Sequence, residues 1–209
     1  MEPLTKLTSV VAPLLRDNVD TDAIIPAAWL RSLATDPGTG LFAHWRYLAD
    51  GSENPGFVLN DPRFRRARIL LCGANFGCGS SRENAVWALS RFGIRCVIAR
   101  SYSDIFYENC FKNGVLPIVA SPRDHAVLVQ SCTPGAPHVV TVDVAAGTIC
   151  AWDGNVFRFD LDERKRGMLM SGSDEIAATL ALAPRIDAFR ARHRRAKPWL
   201  YDVVAGGGA

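Results

Sequence analysis

The sequence predicts an α/β fold with a parallel β-α-β-α-β core and additional β-strands, and three observations carry that reading. Segments at residues 68–72, 94–99 and 115–120, apolar apart from Arg68 and Arg95, have the length and content of buried strands. Between them, residues 80–93 and 103–114 carry helical spacing and helix punctuation. Beyond Pro137 the pattern changes to alternation and short strand-like pieces around Asp153-Gly154, a hairpin signal.

Taken in order, residues 7–16 read as a short strand with a turn, and Arg16-Asp-Asn-Val-Asp-Thr-Asp22 as a polar turn. Pro26 suits the first turn of a short helix over Ala27–Leu33. Residues 34–62, rich in Gly, Pro, Asp and Asn, read as a loop-rich insertion with one helical piece at Phe42–Tyr47. The strand at Arg68–Cys72 runs into a glycine-rich loop, Gly73-Ala-Asn-Phe-Gly-Cys-Gly79. Ser80-Ser-Arg-Glu83 fits a capping box with Ser80 as N-cap, Ala85, Ala88, Leu89 and Phe92 share one face, and Gly93 ends the helix. Ser103 and Gly114 bracket the next helix, and a further helix is expected over 121–131. His138–Val144, Gly147–Trp152 and Asn155–Leu161 are expected strands. Asp174–Ala196 reads as helix interrupted at Pro184, and 200–209 as a disordered tail of what is expected to be one domain over 1–209.

The composition is that of a globular chain: 209 residues, 48% hydrophobic and 22% charged, with a net charge of +3 that gives no case for nucleic acid. Two basic clusters, Arg63/Arg65/Arg66/Arg68 and Arg190/Arg192/Arg194/Arg195/Lys197, read first as solvated faces and otherwise as contacts for an acidic partner. The N-terminus lacks a signal-peptide pattern, and no apolar run approaches the ~20 residues that span a bilayer; a cytoplasmic location without membrane contact is expected. The six cysteines, Cys72, Cys78, Cys96, Cys110, Cys132 and Cys150, form no C-x-x-C pair and read as mostly buried free thiols. Metal and cluster sites usually show closely spaced ligands, so a cluster, if the chemistry needs one, must come from another chain.

The loop Gly73–Ser81 joins the carboxyl end of a strand to a helix N-terminus, where ligands bind parallel sheets and where free N–H groups and the helix dipole favour carboxylate or phosphate. Glycines 73, 77 and 79 allow close approach, and Arg82 adds a planar fork suited to carboxylate. Two nucleotide motifs fail: no Lys precedes Ser80, and Gly77-Cys-Gly79 lacks the third glycine of G-x-G-x-x-G. Ser80 and Ser81 are either plain caps or the hydroxyls of an anion pocket. A serine acts as a base only where backbone donors and cations stabilise its alkoxide. The residues alone reach an anionic small-molecule site.

At Gly77-Cys-Gly-Ser-Ser-Arg-Glu83 the chain resembles the swivelling domain of the aconitase superfamily, with its nearest likeness in the bacterial small subunits of isopropylmalate dehydratases. Asp17-Asn-Val-Asp-Thr-Asp-Ala-Ile-Ile-Pro26, Leu41-Phe-Ala-His-Trp-Arg46, Ala88-Leu89, Asp104-Ile-Phe-Tyr-Glu-Asn109 and Asp174-Glu-Ile-Ala-Ala-Thr-Leu180 extend the likeness from about Leu7 to Trp199. The resemblance implies a β/β/α three-layer swivelling fold and a hydro-lyase active only with a larger subunit that supplies a [4Fe–4S] cluster, none being bound by this chain. It implies Ser80 as the catalytic base, Ser81, Arg82 and Gly79 at the carboxylate of a small hydroxy-diacid, and Asp22 orienting a histidine of the partner chain. Substrate choice would lie partly in the segment Ala28–Leu33: Leu30 and Leu33 suit an isopropyl group, while Arg31 is read as rim or solvent and otherwise as a partner for a distal carboxylate. The implied reaction is the exchange of 2- and 3-isopropylmalate in leucine biosynthesis. Glu83-Asn84 stands where the family usually has Glu-His, and Gly172-Ser-Asp-Glu175 where it often has Gly-Leu-Asp-Asp/Glu. These departures leave open methylmalate, citraconate or homoaconitate chemistry, or a non-catalytic diacid-binding domain.

Asp20 and Asp22 suggest either a divalent-metal site or a turn with side-chain hydrogen bonds, the latter favoured. His44, His125, His138 and His193 lack ligand spacing and read as structural or surface residues. The five tryptophans read as packing residues or interface anchors.

Overall fold

A computed structural model describes residues 1–30, 36–132 and 137–201. By its internal contacts the chain divides into two compact units, residues 1–172 and 173–209.

The first unit is built on one curled sheet of seven strands in the order β4-β3-β2-β1-β5-β6-β7. Its strands are β1 (Lys6–Leu14), β2 (Ile69–Cys72), β3 (Cys96–Ala99), β4 (Leu116–Val119), β5 (Val139–Asp143), β6 (Thr148–Cys150) and β7 (Val156–Arg158). The longest strand, β1, joins two halves of different character. Val11–Leu14 run parallel to β2, while Lys6–Val10 run antiparallel to β5. On one side β2, β3 and β4 continue in parallel, and on the other β5, β6 and β7 form an antiparallel meander. Pro117 falls in β4, the edge strand, where a missing donor is tolerated.

The helices of this unit are α1 (Thr21–Ile24), α2 (Ala43–Arg46), α3 (Glu83–Phe92), α4 (Asp104–Lys112), α5 (Pro122–Cys132) and α6 (Glu163–Ser171). The parallel strands are buried on both faces, as their unbroken apolar runs require. Successive residues therefore point into two different cores. Leu70, Cys72, Val97 and Ala99 pack with Ala85, Val86, Ala88 and Leu89 of α3 and with Ile24, Ile25, Leu41 and Phe42. Ile69, Leu71, Cys96 and Ile98 pack with Leu128 of α5, Leu169 of α6 and the antiparallel strands. Gly93 ends α3 in the left-handed region, as its position in sequence predicts.

Four expectations need correction. The polar stretch Arg16–Asp22 ends in a helical turn, α1, capped by Asp20, whose Oδ1 accepts the Ala23 N–H at 2.6 Å. The helix expected over Ala27–Leu33 is a 3-10 turn at Ala27–Leu30, and the rest of that span lies outside the described residues. Ser103 occupies the N-cap of α4 without a side-chain bond there. The expectation of strands after Pro137 holds, but α6, which follows them, carries no clear apolar stripe and was not anticipated.

The second unit contains α7 (Glu175–Leu180), capped by Asp174, α8 (Ala183–Ala196), entered through Pro184, and a 3-10 turn at Pro198–Leu200. Within it His193 stacks on Phe189, with centroids 5.3 Å apart, and its Nδ1 lies 2.9 Å from the Tyr201 hydroxyl.

Candidate active site

The loop between β2 and α3 crosses the carboxyl edge of the parallel sheet, and it is held from both sides. Gly73 N–H donates to Arg16 O (3.1 Å), Asn18 N–H to Ala74 O (2.9 Å), Gly77 N–H to Val19 O (2.7 Å) and Thr21 N–H to Cys78 O (2.9 Å). The two polar motifs of the sequence thus run side by side as a short parallel ribbon. On the far side Phe76 N–H donates to Ser101 O at 3.0 Å and Ser103 N–H to Phe76 O at 3.1 Å. The Phe76 side chain is fully buried, edge-on to Phe106 at 5.4 Å, and anchors the loop in the core. Gly77 is required twice over: its φ is +73°, and a Cβ there would lie 2.1 Å from Cγ of Phe106.

Side chains tie the same segments together. Asp17 Oδ1 accepts the Ala74 N–H at 2.7 Å, and Arg100 Nη2 lies 2.7 Å from both Asp17 oxygens. The Arg100 hydrogen bond, reinforced by that of Ala74, holds the Asp17 carboxyl below its ordinary range. Asn75 Nδ2 donates to Asn18 Oδ1 at 2.8 Å.

Ser80 is not the N-cap of α3. The helix begins at Glu83, and Arg82 in the cap position is extended (φ −130°, ψ 105°) with no side-chain cap bond. An extended Arg82 keeps Ser80 and Ser81 out of the helix. Glu83, the other half of the expected box, instead accepts from Asn113 Nδ2 at 2.9 Å. Ser80 and Ser81 are exposed, and among the described residues neither hydroxyl has a hydrogen-bond partner. Nor, among those residues, do the backbone N–H groups from Gly79 to Arg82 donate to any protein group. Both hydroxyls and four consecutive N–H groups are therefore uncommitted beside the positive end of a ten-residue helix.

The fold brings several expected residues together. Asp22, exposed on α1, forms an ion pair with the half-buried Arg82 guanidinium. Gly79 lies against the start of α1, its φ +88° and its missing Cβ 3.4 Å from Asp20 Cβ. Leu30 closes the 3-10 turn and is half-buried against the larger apolar cluster. Arg31 and Leu33 lie outside the described residues. The Asp20 carboxylate is engaged as a cap, and among the described residues no three His, Cys, Asp or Glu side chains converge as metal ligands.

Cys72, Cys96 and Cys110 are buried, and burial pushes their thiols up, away from the thiolate that ligation needs. Cys78 is also raised, by burial and by the charge of Asp20.

The first basic cluster is partly consumed locally, Arg63 by Asp61 and Arg65 by Glu53. An open cleft of about 1100 Å³ is lined by Trp87, Arg91, Arg95 and Lys112 among others, but not by Ser80, Ser81 or Arg82. The loop serines present an open edge rather than a closed chamber. Three contributors escaped sequence reasoning: Thr21, Arg100 and Phe106. Thr21 and Phe106 lie inside stretches already singled out, but only the fold shows which loop atoms they meet.

Comparison with known proteins adds to this geometry. Residues 1–123 match the model of the aconitase C-terminal domain, and residues 175–203 match that of the C-terminal domain of 3-isopropylmalate dehydratase small subunits. The chain is 52% identical to the 3-isopropylmalate dehydratase small subunit of Mesorhizobium japonicum over 95% of its length and 100% of that protein. It is likewise 52% identical to the small subunit of Rhizobium johnstonii, over 95% of its length and 99% of the relative. Among solved structures, 3-isopropylmalate dehydratase from Methanocaldococcus jannaschii superimposes with a TM-score of 0.62 at 26% identity, covering 88% of this chain and 99% of the other.

Proposed function

The chain belongs to the family of 3-isopropylmalate dehydratase small subunits, and from that premise we propose that it is one half of a two-chain hydro-lyase that interconverts 2- and 3-isopropylmalate in leucine biosynthesis. The observation that carries this reading is the Ser80-Ser81-Arg82 triplet, its two serines exposed and its hydroxyls and backbone donors uncommitted at the entrance to α3. Such an edge is suited to be closed by another chain. The Lewis acidity for loss of the substrate hydroxyl is supplied by the [4Fe–4S] cluster of the large subunit.

This chain's residues have three tasks. Ser80, as alkoxide, takes the proton from the carbon next to a substrate carboxylate as the hydroxyl leaves the neighbouring carbon; water then adds in the opposite sense, hydroxyl to the deprotonated carbon and proton to its neighbour, which gives the isomer. Its negative charge is stabilised by the free N–H groups, the helix end and Arg82. Ser81 and Arg82 hold the substrate carboxylate, the guanidinium offering two parallel donors. For that the Arg82–Asp22 ion pair has to loosen, which frees Asp22 to orient a histidine of the large subunit. Leu30 lies on the segment expected to face the isopropyl group; Arg31 and Leu33 of that segment are outside the described residues.

The test is Ser80→Ala in the complex reconstituted with its large subunit. Turnover of isopropylmalate should fall by about 10²- to 10⁴-fold, the usual worth of a positioned base, with assembly unchanged by size-exclusion chromatography. Turnover equal to wild type removes Ser80 as the base. Assayed against citrate, homocitrate and methylated malates, the wild-type complex should prefer isopropylmalate, and the small subunit alone should turn over none of them.

A further inference from the structure

We infer that Thr21 is the positioning residue of the Ser80 loop, aiming two backbone donors outward; the inference rests on the reading of Ser80 as base. Thr21 opens α1 and is 2% exposed. Its N–H donates to the Cys78 carbonyl at 2.9 Å, and its Oγ1 donates to the Ser80 carbonyl at 2.9 Å. One buried residue thus draws in both carbonyls that flank Gly79.

The consequence follows from peptide geometry. Among the described residues every peptide is trans, and in a trans peptide the C=O and the following N–H point in opposite directions. With the Cys78 carbonyl turned in to Thr21, the Gly79 N–H points out. With the Ser80 carbonyl turned in, the Ser81 N–H points out as well. These are two of the donors that have no protein partner among the described residues. They bracket Ser80, so their direction sets how well charge on its Oγ, or on a carboxylate beside it, is met. The side-chain bond has a second effect: a carbonyl that accepts a hydrogen bond polarises its peptide and strengthens the Ser81 N–H as a donor. Thr21 touches no reacting atom and acts through Ser80 and its neighbours.

The test uses the reconstituted two-chain complex and compares Thr21→Val with Thr21→Ser and Ser80→Ala. Thr21→Val keeps the backbone bond and the shape but loses the hydroxyl. Its kcat should fall about 10- to 100-fold, the scale of an ångström-level misplacement, while KM changes less than about 3-fold. The ascending, low-pH limb of its kcat/KM profile should move to higher pH as the alkoxide loses support. Thr21→Ser should return kcat to within about 3-fold of wild type. If Thr21→Val fails to assemble, Thr21→Ala against Thr21→Ser isolates the same oxygen. Equal kcat for the hydroxyl-bearing and hydroxyl-free variants, with Ser80→Ala inactive, overturns the role of Thr21 alone. A fully active Ser80→Ala overturns the reading beneath it.

Discussion

Two glycine-bearing turns in the first unit, the β2–α3 loop and the β6–β7 hairpin, solve the same local problem in opposite ways. The hairpin turn satisfies itself. Asn155 N–H donates to Asp153 Oδ1 at 3.0 Å, Asn155 Nδ2 to Asp153 Oδ2 at 2.7 Å, and Gly154 N–H to Ala151 O at 3.1 Å. The β2–α3 loop is held by others: the ribbon at residues 16–21, the stretch at Ser101–Ser103, and the rings of Phe76 and Phe106. Its own donors from Gly79 to Arg82 are left without protein partners among the described residues. A turn that only connects can use up its polar groups internally. A turn that presents polar groups to a ligand has to be fixed by its surroundings.

The largest expected effect is at Gly77. Alanine there has both to adopt a positive φ and to displace the Phe106 ring. Together these should cost about 3 kcal/mol or more, measured by urea unfolding of the isolated chain. Phe106→Leu combined with Gly77→Ala should recover part of the loss, since the two sites are in contact. Additive losses in the double variant would deny that the ring and the loop press on one another.

Arg82→Lys probes the donor side of the comparison. The lysine keeps the charge but loses the planar fork. In the reconstituted complex KM for isopropylmalate should rise about 10-fold, equivalent to about 1.4 kcal/mol, with the fold of the chain unaltered by circular dichroism. An unchanged KM would take Arg82 away from the substrate carboxylate.

How much of this was legible in the sequence depends on the range of the interactions. The units β2, α3 and β3 were readable because doubly buried strands are apolar throughout, and because Gly93 announces a helix end. The hairpin at Asp153-Gly154 was readable because its turn is local chemistry. The change of partner halfway along β1 was not, since nothing in Lys6–Leu14 states that its first half pairs antiparallel and its second half parallel. Nor was the cap at Ser80. The S-x-x-E pattern is a local signal, and it is overruled by tertiary bonds, Thr21 to Ser80 O and Asn113 to Glu83. Ser80, Ser81, Arg82 and Asp22 were in view as motifs; Arg100, the pairing of Asp22 with Arg82 and the grip of Thr21 on the loop needed the fold.

Gly154→Ala is the control for Gly77→Ala. Gly154 also has a positive φ, +85°, but nothing lies within 4 Å of its missing Cβ. The substitution should cost only the backbone strain, about 1 kcal/mol, by the same urea titration, with turnover of the complex unaltered. The difference between the two glycine variants is then the steric contribution of Phe106. A loss at Gly154 as large as that at Gly77 would erase the distinction between the turns.

The smallest effect is expected at Asp17, because it is exposed and its bonds compete with water. Its carboxyl is held below the ordinary range by Arg100 and the Ala74 N–H. A carboxyl with a depressed value in the fold contributes stability above its unfolded value of about 3.9. That contribution disappears as pH falls through the lower folded value. Asp17→Asn should therefore lower Tm slightly at neutral pH, and the gap from wild type should narrow as the pH is taken below about 3.9. The variant retains a side-chain oxygen for Ala74 N–H, so what it removes is the charge that Arg100 pairs with. A gap that stays constant down to the acid limit would mean that this charge does not help to hold the loop, leaving its support to the backbone ribbon.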